Sequence, residues 1–200
     1  MYKTLLKGQP SSYAGEIMEY SFHFYNSMAE TGILTALSHM AQNFTIAPVV
    51  VCIGSDLAIG DSLGPVGGTM LKKKGYGGAV YGTLKNPITA KEVKYLNNFL
   101  QRTHPGAPVI AIDAAVGDET DIGLVKVSDV PLKPGSGANK RLGKIGDISI
   151  LGIVAGRGAF SYSVLNLTRL NMVYNMAEAV SDAIASFSLG EFQQRALRNA

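Results

Sequence analysis

The sequence predicts an α/β protein, an α/β sandwich built on a mostly parallel or mixed five-stranded sheet. Three observations carry that expectation. Short, unbroken β-branched runs have the composition of strands buried on both faces. Stretches of helical apolar periodicity lie between those runs. The 23 glycines among 200 residues punctuate the alternation with tight turns.

Residues 1–27 are rich in Ser and Tyr and weakly periodic. Ile33, Leu34, Leu37, Met40, Ala41 and Phe44 then recur at helical spacing, so residues 1–45 read as an N-terminal helical extension leading into the core. The run Pro48–Gly54 is a central parallel strand by composition. A Gly/Asp-rich loop over Ser55–Gly64 follows, then Pro65 at a helix start, a short apolar face through Val66, Met70 and Leu71, and a stop at Gly75. Gly78–Leu84 alternates as a strand, and Thr89–Thr103 is amphipathic through Val93, Leu96, Phe99 and Leu100. Pro108–Ile112 reads as a buried strand ending at Asp113.

Ile122–Val127 and Asp147–Ala155 are expected as the last two strands. The turn-rich stretch Pro131–Gly146 between them is too polar and glycine-rich to carry a core element, which marks it as a candidate functional loop. From Val164 to Phe187 one apolar face traces a long C-terminal helix over about 163–189. With no internal repeat and no linker, residues 1–200 read as a single domain.

Composition narrows the function classes. A mean hydropathy of +0.15 arises from short apolar blocks, all far below the roughly 20 residues that span a bilayer, so no membrane association is expected. The N-terminus lacks the apolar core of a secretory signal, and the single cysteine, Cys52, has no intrachain disulfide partner; a cytoplasmic address follows. A net charge of +3 from scattered basic residues does not suggest a nucleic-acid surface. The one basic run, Lys72-Lys73-Lys74, ends a helix whose dipole it complements.

Ligands in open α/β sheets bind beyond the carboxyl ends of the strands, and two acids sit there. Asp61 lies in the loop after the Val49–Ile53 strand, just ahead of a helix. Asp113 closes the strand Val109–Ile112. Two carboxylates in one cleft can share a proton and activate water, or grip a divalent cation; alternatively Asp61 caps the helix and Asp113 satisfies loop backbone. The residues alone leave this open. Gly135, Ser136 and Gly137 can present backbone N–H groups as an anion nest, with Lys140 and Arg141 adding charge. The first loop matches neither G-x-G-x-x-G nor G-K-[ST], which removes the nucleotide readings. His23, His39 and His104 show no ligand spacing and Cys52 sits inside a strand, so all four read as structural.

Three ordered blocks carry a resemblance: Gly54 with Gly60-Asp61-Ser62-Leu63-Gly64-Pro65, Val109-Ile110-Ala111-Ile112-Asp113-Ala114-Ala115, and Pro134-Gly135-Ser136-Gly137-Ala138-Asn139-Lys140-Arg141. Together they resemble the signature blocks of the bacterial spore germination protease family, nearest its short sporulation-associated YyaC-type relatives. The resemblance spans Ala47 to Gly156. It implies a three-layer α/β/α, phosphorylase/hydrolase-like fold, shared with the hydrogenase maturation proteases. It further implies an aspartic-type endopeptidase with Asp61 and Asp113 as catalytic acids, and Gly135, Ser136, Gly137 and Lys140 as the substrate or oxyanion loop. The expected partner is a small protein or peptide substrate, such as small acid-soluble spore proteins, met in the spore or forespore compartment.

No cofactor is expected, and no metal; were one bound, Asp61 and Asp113 would be its ligands. The alternatives are a noncatalytic sporulation factor that binds a peptide or protein partner in the same cleft, or a metal-assisted maturation peptidase. Apolar positions on the N- and C-terminal helices suit a homo-oligomer.

Overall fold

The β-branched runs form strands, and the periodic stretches form helices on either side of them. In the computed structural model, which describes residues 17–134, 143–157 and 165–198 with side chains through residue 190, the chain opens with β1 (Glu19–His23), α1 (Ala29–Met40) and β2 (Val49–Cys52). A 3-10 turn (Gly60–Ser62) then runs into α2 (Leu63–Lys73), followed by β3 (Val80–Tyr81), α3 (Val93–Thr103) and β4 (Val109–Gly117). A second 3-10 turn (Glu119–Asp121), β5 (Leu124–Ser128), β6 (Ile148–Gly156) and α4 (Leu170–Arg198) complete the order.

The six strands form one sheet in the order β1-β5-β6-β4-β2-β3. β3, β2, β4 and β6 are mutually parallel, and β5 runs antiparallel to both its neighbours. Alternation along β2 explains why its sequence is apolar without interruption. Val50 and Cys52 face one core, shared with Leu37 of α1, Leu71 of α2 and Met176 of α4. Val49 and Val51 face a second core, closed by Val93, Leu96 and Leu100 of α3. The sheet is therefore covered on both faces, the three-layer arrangement expected. No helix among the described residues is long and apolar enough to cross a membrane.

Several elements differ from expectation. β1 lies within the segment read as a helical extension, so the sheet has six strands rather than five. Tyr20 and Phe22 alternate with Glu19, Ser21 and His23, and the apolar pair packs onto the core with α1. β3 is shorter than Gly78–Leu84 because Gly82 turns the chain at φ +85, so close to β2 that a Cβ there would stand 1.8 Å from the Cys52 carbonyl oxygen. The C-terminal helix runs over Leu170–Arg198 rather than 163–189. The ends of the stretch Pro131–Gly146 do carry core: Leu132 and Ile145 are buried, pair by two backbone hydrogen bonds of 2.8 and 2.9 Å, and pack beneath α3.

The difference that matters most for the site is in β4. Its first half pairs with β2 up to Ile112, but its second half, past Asp113, pairs only with β6. Asp113 is thus not at a strand end. It sits in mid-strand where the neighbouring strand stops.

Candidate active site

Asp61 is positioned by a loop that bonds back on itself. After β2, Gly54 takes φ +139, a conformation open to glycine, and donates its N–H to the Ile88 carbonyl at 2.8 Å. The Ser55 N–H reaches the Asp61 carbonyl at 3.0 Å, and Asp61 and Ser62 donate to Ala58 and Ile59 at 3.0 and 3.1 Å. The Ser62 hydroxyl donates to the Ile59 carbonyl at 2.7 Å. On the far side, Gly60 packs so tightly against Leu165 and Thr168 that a Cβ there would lie 2.8 Å from the Thr168 hydroxyl. The segment ahead of α4 therefore braces the turn that holds Asp61.

Asp113 is placed by sheet pairing. Strand alternation puts it on the side of the sheet that Ala111 shares with α3, opposite Leu151 of β6 in register. Its side chain is 7% exposed, and its Oδ1 accepts the Ala114 N–H at 2.8 Å.

Burial perturbs both acids, and the charge of Asp61 acts in addition on Asp113. Burial raises the Asp61 pKa to about 6, and the Ser55 backbone N–H offsets part of that rise. Burial raises Asp113 well above the ordinary carboxylate range, the nearby Asp61 charge raises it further, and the Ala114 N–H works in the opposite direction. Both carboxyls therefore hold their protons to higher pH than free carboxylates do, and Asp113 carries the additional effect of the Asp61 charge. Although Asp61 lies just ahead of a helix, desolvation by burial raises its pKa above the ordinary value. Ile59 and Ser62, the residues preceding the 3-10 turn and α2, make no side-chain capping bond.

Of the other sequence-predicted residues, Gly135, Ser136, Gly137 and Lys140, with Arg141, lie outside the described residues. His39 meets the Tyr20 hydroxyl at 3.0 Å, His104 meets the Tyr81 hydroxyl at 2.8 Å, and His23 stacks on Phe24. Each has a structural partner. Cys52 is buried completely and its thiol is pushed up to about 12, the behaviour of a core residue. Among the described residues no group of three or more His, Cys, Asp or Glu stands ready to hold a metal ion. Sequence reasoning missed the bracing by Leu165 and Thr168; the only local signal is Gly60 itself, whose lack of a Cβ permits the contact.

The family model described as "Protein of unknown function (DUF1256)" matches residues 21–183. The chain is 38% identical over 193 residues to "Uncharacterized protein YyaC" of Bacillus subtilis (strain 168), covering 96% of this chain and 94% of that protein. Among solved structures, the [NiFe] hydrogenase maturation protease HycI from Thermococcus kodakarensis KOD1 is similar with a TM-score of 0.47 at 18% identity, covering 78% of this chain and 97% of that one.

Proposed function

This chain belongs to the family described as Protein of unknown function (DUF1256), and from that premise we propose that it is a peptidase-like hydrolase, an aspartic-type endopeptidase using Asp61 and Asp113. One observation carries the reading: two buried carboxyl groups stand near each other where β2 stops against the middle of β4, Asp61 with its pKa raised to about 6 and Asp113 raised well above the ordinary range by burial and by the Asp61 charge. A pair split in this way supplies a base and an acid at the same pH.

The chemistry follows from that split. Asp61 takes a proton from a water molecule as the water oxygen attacks the substrate carbonyl carbon. Asp113 gives its proton to the amide nitrogen as the C–N bond breaks, so the amine leaves neutral. The pair then holds its single proton on Asp61 instead of Asp113, and exchange with solvent restores the starting state. The proposed substrate is a small protein or peptide, of the class of small acid-soluble spore proteins, in the spore or forespore compartment; the resemblance of the three sequence blocks to germination proteases supports that choice.

The test is incubation of wild type and an Asp61→Asn, Asp113→Asn double variant with spore-core proteins, with and without chelator, read by intact mass. New fragments from wild type alone, unaffected by chelator, are expected. Loss on chelation would move the reaction to a metal-assisted peptidase, and no fragments from wild type would reduce the protein to a binding factor. The pH profile is a second expectation. Turnover requires Asp61 ionised and Asp113 protonated, so the rate rises through about pH 6 and falls only where Asp113 loses its proton. A rate still climbing below pH 4 would rule out Asp61 as the base.

A further inference from the structure

β2 is only four residues long, whereas β4 continues from Val109 to Gly117. The consequence is an open strand edge beside the acid pair. In a parallel ladder, alternate residues turn their N–H and C=O groups towards opposite neighbours. On β4 the even-numbered residues turn towards β2: Pro108 and Ile112 accept from Val49 and Ile53 at 2.8 and 2.7 Å. The odd-numbered residues turn towards β6: Val109 accepts from Asp147 at 2.7 Å, and Gly117 accepts from Arg157 at 2.8 Å.

Ala114 and Val116 therefore face the side that β2 has vacated. The Ala114 N–H is held by Asp113 Oδ1 at 2.8 Å. Its carbonyl, and both the N–H and the carbonyl of Val116, have no hydrogen-bond partner among the described residues. All three residues from Ala114 to Val116 are partly exposed.

We propose that this edge, Ala114–Val116, binds an extended polypeptide as an added strand whose chain is stopped at Asp113. The groups on offer select the occupant. A main-chain acceptor followed two residues later by a donor and a second acceptor is the pattern that another strand satisfies, and it makes no demand on side-chain sequence. The stop is equally defined, because the next acceptor along the edge, the Ile112 carbonyl, is already taken by Ile53. An incoming chain paired to Val116 and Ala114 must leave the sheet plane at Asp113, which delivers a backbone amide to the carboxyl pair. The delivery step rests on the peptidase reading above; the binding step does not.

The test uses full-length protein and a permanently unfolded probe, reduced and carboxymethylated α-lactalbumin. Binding is followed on the ¹⁵N-labelled Asp61→Asn, Asp113→Asn variant, which retains a side-chain oxygen at each position, by amide hydrogen exchange at single residues. At saturating probe the Val116 amide is expected to exchange at least about tenfold more slowly, as one new strand bond requires. An unchanged Val116 amide overturns the proposal, whether the probe binds elsewhere or not at all.

Val116→Pro removes the N–H on the open side, together with the Val side chain, and fixes φ at about −65°. In a variant that remains folded it is expected to weaken probe binding about tenfold; wild-type affinity in a folded Val116→Pro protein also overturns the proposal. The two readings separate cleanly. Fragments from wild type with an unprotected Val116 would leave a peptidase without this edge, and a protected Val116 with no fragments from wild type would leave a peptide-binding edge without the peptidase.

Discussion

Replacing Asp61 with Asn is expected to make the protein more stable at pH 8 and to lower turnover at least a hundredfold. The stability gain follows from linkage. In the folded protein the Asp61 pKa is raised from 3.8 to about 6, so the folded state binds this proton more tightly than the unfolded chain. Stability associated with that proton is fully present below about pH 4 and is lost as pH rises through about 6. A tenfold difference in proton affinity between the folded and unfolded states corresponds to about 1.4 kcal/mol. Partial solvent access screens the effect, so about 1–2 kcal/mol is a fair expectation at pH 8.

Asn carries no charge at any pH, so its advantage should be widest at pH 8 and vanish near pH 4. For a chain of 200 residues the gain corresponds to a few degrees in unfolding temperature, about 2–4 °C per kcal/mol. Asp113→Asn should behave alike, since Asp113 is also raised and keeps its Ala114 bond through the amide oxygen. A site that costs stability while enabling reaction is the signature of a functional arrangement. Thermal unfolding at pH 4 and pH 8 reads the sign directly; variants that lose stability at pH 8 would mark the two acids as structural ties.

The sequence pointed to the two acids because each follows a β-branched run, although Asp113 sits in mid-strand rather than at a strand end. It could not show how differently the two are perturbed, which depends on burial and, for Asp113, on the Asp61 charge. β2 was readable from four residues buried on both faces, and α3 from a clean apolar stripe. β1 was not, because Tyr20 and Phe22 alternate within a Ser/Tyr-rich stretch that has few β-branched residues. The true length of β4 was hidden as well. Ala114-Ala115-Val116-Gly117 has the small-residue composition of a loop, and it is strand only because β6 offers a partner as far as Gly156. The open edge comes from a mismatch in length between β2 and β4, a tertiary property with no local signature.

Gly64→Ala and Gly67→Ala should have opposite effects, although the two glycines lie in the same helix three positions apart. Helix propensity alone favours Ala at both by up to about 1 kcal/mol. At Gly67 a new Cβ would meet Ala177 at 3.8 Å, an ordinary contact, so that preference is realised and stability holds or rises. At Gly64 the Cβ would stand 2.1 Å from the Ile53 carbonyl oxygen and 2.7 Å from the Ile53 nitrogen. Both are backbone atoms of the strand end, and neither can swing aside.

α2 must therefore retreat from β2, at a cost of about 1–3 kcal/mol typical of overpacked cores. The retreat also disturbs Gly68, whose own Cβ position lies 2.1 Å from the Gly82 carbonyl oxygen. Because Asp61 is carried on the turn that leads into α2, the shift separates it from Asp113, which stays fixed in β4. Gly64→Ala should then lose the effect of the Asp61 charge on Asp113, and the acid limb of any pH–rate profile should move below about 6 as Asp61 gains access to water. Unfolding temperatures of the two variants, compared with wild type, decide the point: a loss at Gly64 with none at Gly67 identifies close approach of helix to strand as what holds the acid pair together, while equal behaviour at both would reduce these glycines to matters of helix propensity.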